Sequence, residues 1–195
     1  VDTLVVDKTG TLTEGKPKVV AVVAAPGFAE ADMLRLAASA ETASEHPLGR
    51  AIVAAAAERS LALAPVADFD SPTGKGIVAN VEGRRLAIGN ARFLAELGIA
   101  VGPLEVEAER QRGEGATAVF LAVDGQAAAM IAIADPVRST TAAALAALAD
   151  EKIRVVMLTG DNRTTALAVA RRLGISEVEA EVLPEQKSAV VAKLR

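Results

Sequence analysis

The sequence predicts an α/β fold: a parallel sheet interrupted by an inserted α+β domain that is built on an antiparallel sheet. Three observations carry this expectation. An apolar strand at the start runs to Val6 and ends on Asp7. From Ala134 onward strand and helix patterns alternate, which implies parallel pairing through right-handed crossovers. Between them, a block bounded by Pro17 and by Asp135–Pro136 mixes helical stretches with strands and turns. The boundaries predicted are 1–16 and 133–195 for the sheet domain and 17–132 for the insert.

Composition narrows the class. A chain of 195 residues holds one large domain or two small ones with a real core. With 51% hydrophobic residues and a net charge of −4, neither disorder nor a basic nucleic-acid surface is indicated, and no nucleic-acid partner is expected. Cysteine is absent, which excludes disulfides and thiolate metal sites. Tyr and Trp are absent too and only four Phe remain, which argues against base-stacking platforms. No apolar run reaches the roughly 18 residues of a membrane span, and no signal peptide is visible. The chain opens inside a strand and closes inside a helical pattern, as an excised fragment does.

The elements follow in order. The first strand is short and apolar, as expected when both faces are buried. It delivers Asp7 to its carboxyl end, where open α/β sheets bind ligands. The next residues read DKTGTLT. There Gly10 permits a tight backbone, and the surrounding N–H and hydroxyl groups suit an anion. Asp7 alone also reads as an Asx-type turn leaving a strand. In the insert, helices are expected from Asp32 to about Ser44 and from Pro47 to about Leu61, with Pro47 in a first turn. Strand signals occupy 66–90 and 116–133, with turns at Thr73–Gly76, Glu82–Gly83 and Asp124–Gly125. The last of these fits a two-residue hairpin. Ala91 to Arg112 is charged and helical. After the insert come a helix from Thr140 to Ala149, a strand from Ile153 to Leu158, and a helix capped by Asp161 or Asn162 and closed by Gly174. A short strand from Val178 to Val182 follows, then Pro184 at the first position of another helix.

In a parallel sheet, Asp7, Thr159–Gly160–Asp161 and Lys187 converge on one edge. A carboxylate, a hydroxyl and a lysine so placed suit phosphoryl transfer. The carboxylate attacks phosphorus while Thr159 and Lys187 hold the equatorial oxygens. Singly, Thr159 reads as a helix cap and Lys187 as a solvated surface cation.

DKTGTLT resembles the phosphorylation signature of P-type ATPases, within the haloacid-dehalogenase-like superfamily. MLTGDN downstream and Asp135–Pro136 support the resemblance. It implies a haloacid-dehalogenase-like parallel sheet, truncated at its C-terminal side, and a phosphorylation site of Asp7, Lys8, Thr9, Thr159, Gly160, Asp161 and Lys187. Phosphatases of that superfamily usually carry a second Asp two residues after the nucleophile, as general acid and base. Thr9 stands there instead, which should prolong an aspartyl phosphate and suits a pump. ETASEHPLGRAIV and SPTGKGIVANVEGRRLAIGN resemble the nucleotide-binding segments of heavy-metal-transporting members. They imply ATP contacts at Glu41, His46, Gly74, Gly76 and Asn90. Without the resemblance, Gly74 and Gly76 read as turn or bulge formers, His46 as a packed or surface residue, and Glu41 as a helix-surface charge.

The implied cofactor is Mg²⁺, held in part by the Asp7 carboxylate and the Thr9 carbonyl. The family continues past the position of Arg195 with a Gly-Asp-Gly-x-Asn-Asp motif, so these residues alone are not expected to turn over ATP, and the Asp7 strand would lie at a sheet edge. The implied function is the ATP-binding and aspartyl-phosphorylation portion of a heavy-metal cation exporter. Its partners are the actuator and transmembrane domains of the same pump and a cation bound elsewhere in it. It would be the cytoplasmic domain of an integral membrane protein. The wording RVVMLTGDNRTTA is nearest to Cu(I) exporters, with zinc or cadmium exporters behind. The alternatives are a free-standing phosphatase with a large cap and, outside that class, a non-catalytic nucleotide-sensing module.

Overall fold

The computed structural model describes residues 2–72, 74–183 and 186–193; Thr73 and Pro184, named above for a turn and a helix start, lie outside them. In chain order the first half comprises β1 (Thr3–Asp7), β2 (Lys18–Ala24), α1 (Glu30–Glu41), α2 (Pro47–Glu58), β3 (Val66–Asp70), β4 (Gly76–Val81), β5 (Arg84–Gly89) and α3 (Ala91–Glu96). The second half comprises α4 (Leu104–Gly113), β6 (Thr117–Val123), β7 (Gln126–Ala134), α5 (Thr141–Asp150), β8 (Arg154–Leu158), α6 (Arg163–Leu173), β9 (Glu177–Glu179) and α7 (Lys187–Lys193). These pack as two compact units. One contains Val1–Lys16, Arg112–Thr117 and Asp135–Arg195; the other contains Pro17–Gln111 and Ala118–Ala134.

The first unit is built on a parallel sheet in the order β1-β8-β9. Asp7 lies opposite Leu158, and Leu158 opposite Glu179, so all three strands end together. Met157 is fully buried and centres a core of Leu12, Ala166, Val169 and Ala170, against which Val6 and Leu145 pack. The sequence offers two caps for α6, and Asn162 takes the role: its Oδ1 accepts from the Thr164 N–H at 2.8 Å. Gly174 ends the helix at φ 69°, and Arg171 and Arg172 lie where the helix dipole favours cations. The expected strand to Val182 stops at Glu179. Glu181 adopts φ 59°, and the chain turns so that the Val182 N–H bonds back to the Thr159 carbonyl at 3.1 Å.

The second unit is a six-stranded sheet in the order β2-β7-β6-β5-β4-β3. Two of its hairpins turn on Glu82–Gly83 (φ 53° and 75°) and Asp124–Gly125 (φ 49° and 83°). Left-handed backbone at both central residues matches the right-handed twist of the flanking strands. Helices α1 and α2 cover the sheet. α1 is buried nearly all round, with Leu34, Leu36, Ala37 and Ala38 at zero exposure, because α2 lies against one side and strands β2 and β4 against the other. Both helices end three residues before their expected limits, α1 at Glu41 and α2 at Glu58. Beyond α2, Ser60 at φ 53° breaks the helical path.

The helical stretch expected from Ala91 to Arg112 is two helices, α3 and α4. Gly98 at φ 78° and Gly102 at φ 54° take conformations closed to a helix, and Pro103 then leads into α4. The loop so formed borders an apolar cleft of about 500 Å³ beside Ala25, Pro26 and Gly125.

Replacing Leu36 by Ala should cost about 2–5 kcal/mol, the usual range for emptying a sealed site. Val106, 78% exposed on α4, should tolerate Ala within about 0.5 kcal/mol. Urea midpoints of the two variants check the contrast, and equal midpoints would contradict the placement of α1.

Candidate functional site

The peptide following Asp7 folds as a type II turn. Thr9 has φ −75° and ψ 124°, and Gly10 has φ 78° and ψ −10°; the second of these positions requires glycine. An added Cβ at Gly10 would meet nothing within 4 Å, so the requirement is conformational. Lys8 is buried, while Thr9 and Gly10 are exposed at the tip.

Lys187 Nζ, at the start of α7, lies 3.0 Å from each carboxylate oxygen of Asp7. This cation straddles the carboxylate at the strand end. Lys8 pairs instead with Asp161. Thr159 is 2% exposed, and its hydroxyl accepts the Asp161 N–H at 3.1 Å, which fixes the Thr159–Gly160–Asp161 bend. The edge therefore holds two ion pairs, Asp7–Lys187 and Lys8–Asp161, within one unit. Among the described residues no group of three His, Asp or Glu side chains is placed to hold a metal.

The other candidates lie in the second unit, and several have a local structural task. His46 caps α2: its Nδ1 accepts the Leu48 N–H at 3.2 Å. That acceptor exists only in the neutral ring. Burial, and then the nearby Arg50 charge, lower the pKa of His46 from its ordinary value, although the residue as a whole is solvent-exposed. Asn90 caps α3, its Oδ1 accepting the Phe93 N–H at 2.8 Å. Gly76 pairs with Gly89, and a Cβ there would collide with the Ile88 carbonyl and the Phe93 ring. Gly74 adopts φ 71° in the turn before β4.

Glu41 differs. It is 7% exposed, and its Oε2 has no hydrogen-bond partner. Desolvation raises its pKa, opposed by a hydrogen bond from Ser44. Gly49 faces it, where any Cβ would collide with Oε2. The 500 Å³ cleft is lined by none of these five residues.

Sequence reasoning missed the groups that hold the Asp7 turn from behind. Thr13 Oγ1 accepts the Gly10 N–H at 3.2 Å and lies 2.6 Å from Asp135 Oδ2. Asp135 also accepts the N–H groups of Gly15 at 3.2 Å and Lys16 at 3.0 Å. Arg138 and Thr141 complete the set. Asp135–Pro136 was legible as a boundary; nothing in the residue spacing marked the other three.

A model of the haloacid dehalogenase-like hydrolases matches residues 1–195. The chain belongs to this family. Among relatives of this hydrolase-family chain, a silver-exporting P-type ATPase of Salmonella typhimurium is 49% identical over 195 residues, all of this chain and 24% of that protein. A copper-exporting P-type ATPase of Legionella pneumophila is 50% identical over the same length, 26% of that protein. The chain thus spans about a quarter of the length of these relatives. Among solved structures, a zinc-transporting PIB-type ATPase in its E2.Pi state matches with a TM-score of 0.73 and 36% identity, covering 100% of this chain and 31% of that one.

Two outcomes test this geometry. Gly10→Ala should destabilise the first unit by about 1–2 kcal/mol, the penalty of left-handed backbone for a residue with a Cβ; thermal unfolding measures it. His46 should titrate below the usual imidazole value of about 6.5 in an NMR titration. Because the folded-state pKa is lowered, its stabilising contribution is fully present above the unfolded value and is lost as pH falls from there through the folded pKa.

Proposed function

We propose that this chain is the ATP-binding and aspartyl-phosphorylation portion of a heavy-metal-exporting P-type ATPase of the copper type. The observation that carries the reading is Asp7 at the carboxyl end of β1, opening a type II turn, with Lys187 3.0 Å from both carboxylate oxygens. Residues 1–16 and 133–195 serve as the phosphorylation domain and 17–132 as the nucleotide-binding insert. In the reaction an Asp7 oxygen attacks the γ-phosphorus of ATP. The bond to the β,γ-bridging oxygen breaks, ADP leaves, and an acyl phosphate remains on Asp7. Lys187 and the Thr159 hydroxyl face the charge that spreads over the equatorial oxygens. Lys8, pinned to Asp161, holds the start of the turn against the Thr159–Gly160–Asp161 bend.

ATP is assigned to the second unit on the strength of Glu41. A buried carboxylate oxygen with no partner costs free energy unless something donates to it. The exocyclic amine of adenine is such a donor, with His46 beside it and Gly74, Gly76 and Asn90 lending close backbone approach and a polar edge. Mg²⁺ fits the phosphorylation edge as a partial site. The Asp7 carboxylate and the Thr9 carbonyl are hard oxygen ligands, and this ion normally takes its remaining ligands from water and substrate phosphate. When bound it neutralises charge on the transferring group.

Thr9 favours a pump over a free-standing phosphatase, because no carboxylate stands two residues after Asp7 to activate water. The copper assignment rests on relatives that export copper or silver at 49–50% identity, against 36% for the zinc transporter. The partners follow: the actuator and transmembrane domains of the full-length protein, with this portion on the cytoplasmic side and the transported cation bound elsewhere.

In the full-length protein Asp7→Asn should abolish the acid-stable, hydroxylamine-labile phosphoenzyme formed from ATP while leaving ATP affinity nearly unchanged. Retained phosphorylation would refute the role of Asp7. ATP added to the 195-residue chain should shift the amides around Glu41, His46, Gly74, Gly76 and Asn90. His46→Ala should weaken binding by about 1–3 kcal/mol, the penalty of unpairing a desolvated polar group. Silent amides at those positions would sink the nucleotide assignment.

A further inference from the structure

We propose that Arg138 and Thr141, at the entry to α5, are positioning residues for the Asp7 turn, and that they set the rate of phosphoryl transfer without contributing to ATP affinity. The proposal rests on the assignment of Asp7 as the phosphorylated residue and adds to it the machinery that aims the nucleophile.

The turn is short of internal partners. Its own backbone closes through the Thr13 N–H to the Lys8 carbonyl at 3.1 Å, and the Thr13 hydroxyl braces the Gly10 N–H. That hydroxyl has one proton, and the 2.6 Å contact with a carboxylate directs it to Asp135. The carbonyls of Gly10, Leu12 and Thr13 take no part in this closure, and all three are captured by the segment before and at the start of α5. Arg138 Nη2 donates to the Gly10 carbonyl at 2.9 Å and Arg138 Nε to the Thr13 carbonyl at 2.9 Å. The Leu12 carbonyl accepts twice, from the Arg138 backbone N–H at 3.0 Å and from the Thr141 hydroxyl at 2.8 Å.

Three features separate this arrangement from ordinary loop packing. One guanidinium spans two carbonyls three residues apart, which uses the rigid fork of arginine as a ruler across the turn. Among the described residues no carboxylate pairs with Arg138, so its donors serve backbone carbonyls. Thr141 is 5% exposed and lies in the first turn of α5, yet its hydroxyl is spent on Leu12, 129 positions away. Leu12 is itself anchored in the core under β8. The carbonyl of Gly10, held by Arg138, belongs to the one residue whose left-handed backbone defines the turn. Loss of these contacts leaves the turn free to rotate about Gly10 and moves the Asp7 carboxylate relative to an incoming phosphorus. Reactions of this kind tolerate little displacement: a misplacement near 1 Å costs on the order of a hundredfold in rate.

The candidates for ATP contact lie in the other unit, so the expected signature is a split between rate and affinity. In the full-length protein, Thr141→Val, which keeps the shape and removes the hydroxyl, should slow phosphoenzyme formation from radiolabelled ATP by roughly tenfold or more. Thr141→Ser, which keeps the hydroxyl, should restore it to within about twofold of the parent. Arg138→Ala should slow it by a similar factor, with Arg138→Lys, able to reach only one carbonyl, between Ala and the parent. The dissociation constant for ATP should stay within about twofold throughout. Arg138 is exposed, so its variants keep the test decisive even where Thr141→Val fails to fold. Phosphorylation at parental rate in Arg138→Ala overturns the proposal, as does a loss matched by equal weakening of ATP binding. If the unsubstituted protein and Asp7→Asn form no phosphoenzyme alike, the assignment of Asp7 fails and this proposal falls with it. If only Asp7→Asn is dead and the Arg138 and Thr141 variants are normal, this proposal alone fails.

Discussion

The parallel register of β1 against β8 is the constraint on which the rest of the first unit depends. With Asp7 opposite Leu158, both strands release the chain at the same edge. Side chains alternate along a strand, so a slip of one residue would send Asp7 to the opposite face and separate it from Lys187. The register is held from beneath by Met157, fully buried, and by Leu12, which returns from the turn into the same core. The chemistry at the edge is therefore a consequence of apolar packing one layer below.

The second unit shows how function separates from architecture when each polar group is asked what it does locally. His46 and Asn90 cap helices, and Gly76 lets β4 and β5 approach the Phe93 ring. A designer of the fold alone would have chosen similar residues. Glu41 has no such task. A carboxylate at 7% exposure with a bare oxygen weakens the fold, and Gly49 opposite leaves it room. Under the proposed function, that bare oxygen is where a donor of the nucleotide would be met.

Much of this was legible beforehand, for identifiable reasons. The convergence of Asp7, Asp161 and Lys187 followed from alternating strands and helices, since parallel pairing leaves the carboxyl ends no other place to go. The Asp124–Gly125 hairpin followed from the backbone freedom of its residues. The break between α3 and α4 was missed because helical composition on both sides masked Gly98 and Gly102, whose effect depends on conformation and not on pattern. Thr13, Arg138 and Thr141 were unreadable for another reason. Each acts on backbone carbonyls far along the chain, and backbone acceptors leave no signature in a sequence. Between Asp161 and Asn162, two equally good caps, only the geometry chose.

The contacts of Asp135 have a topological consequence. This carboxylate binds the N–H of Lys16, 119 positions earlier, and the Glu14 N–H bonds to the Pro136 carbonyl at 2.8 Å. The entry and the exit of the long intervening segment are thus stapled side by side. For the parallel sheet, everything between the staples is a closed parenthesis: once it is drawn shut, β1 and β8 meet as though joined by a short connection. The entropy of closing so long a loop grows only logarithmically with its length, so a single cluster of hydrogen bonds at its neck converts distant partners into near neighbours. Once the neck is shut, β1 and β8 pair across a connection whose further length adds little to the cost of bringing them together.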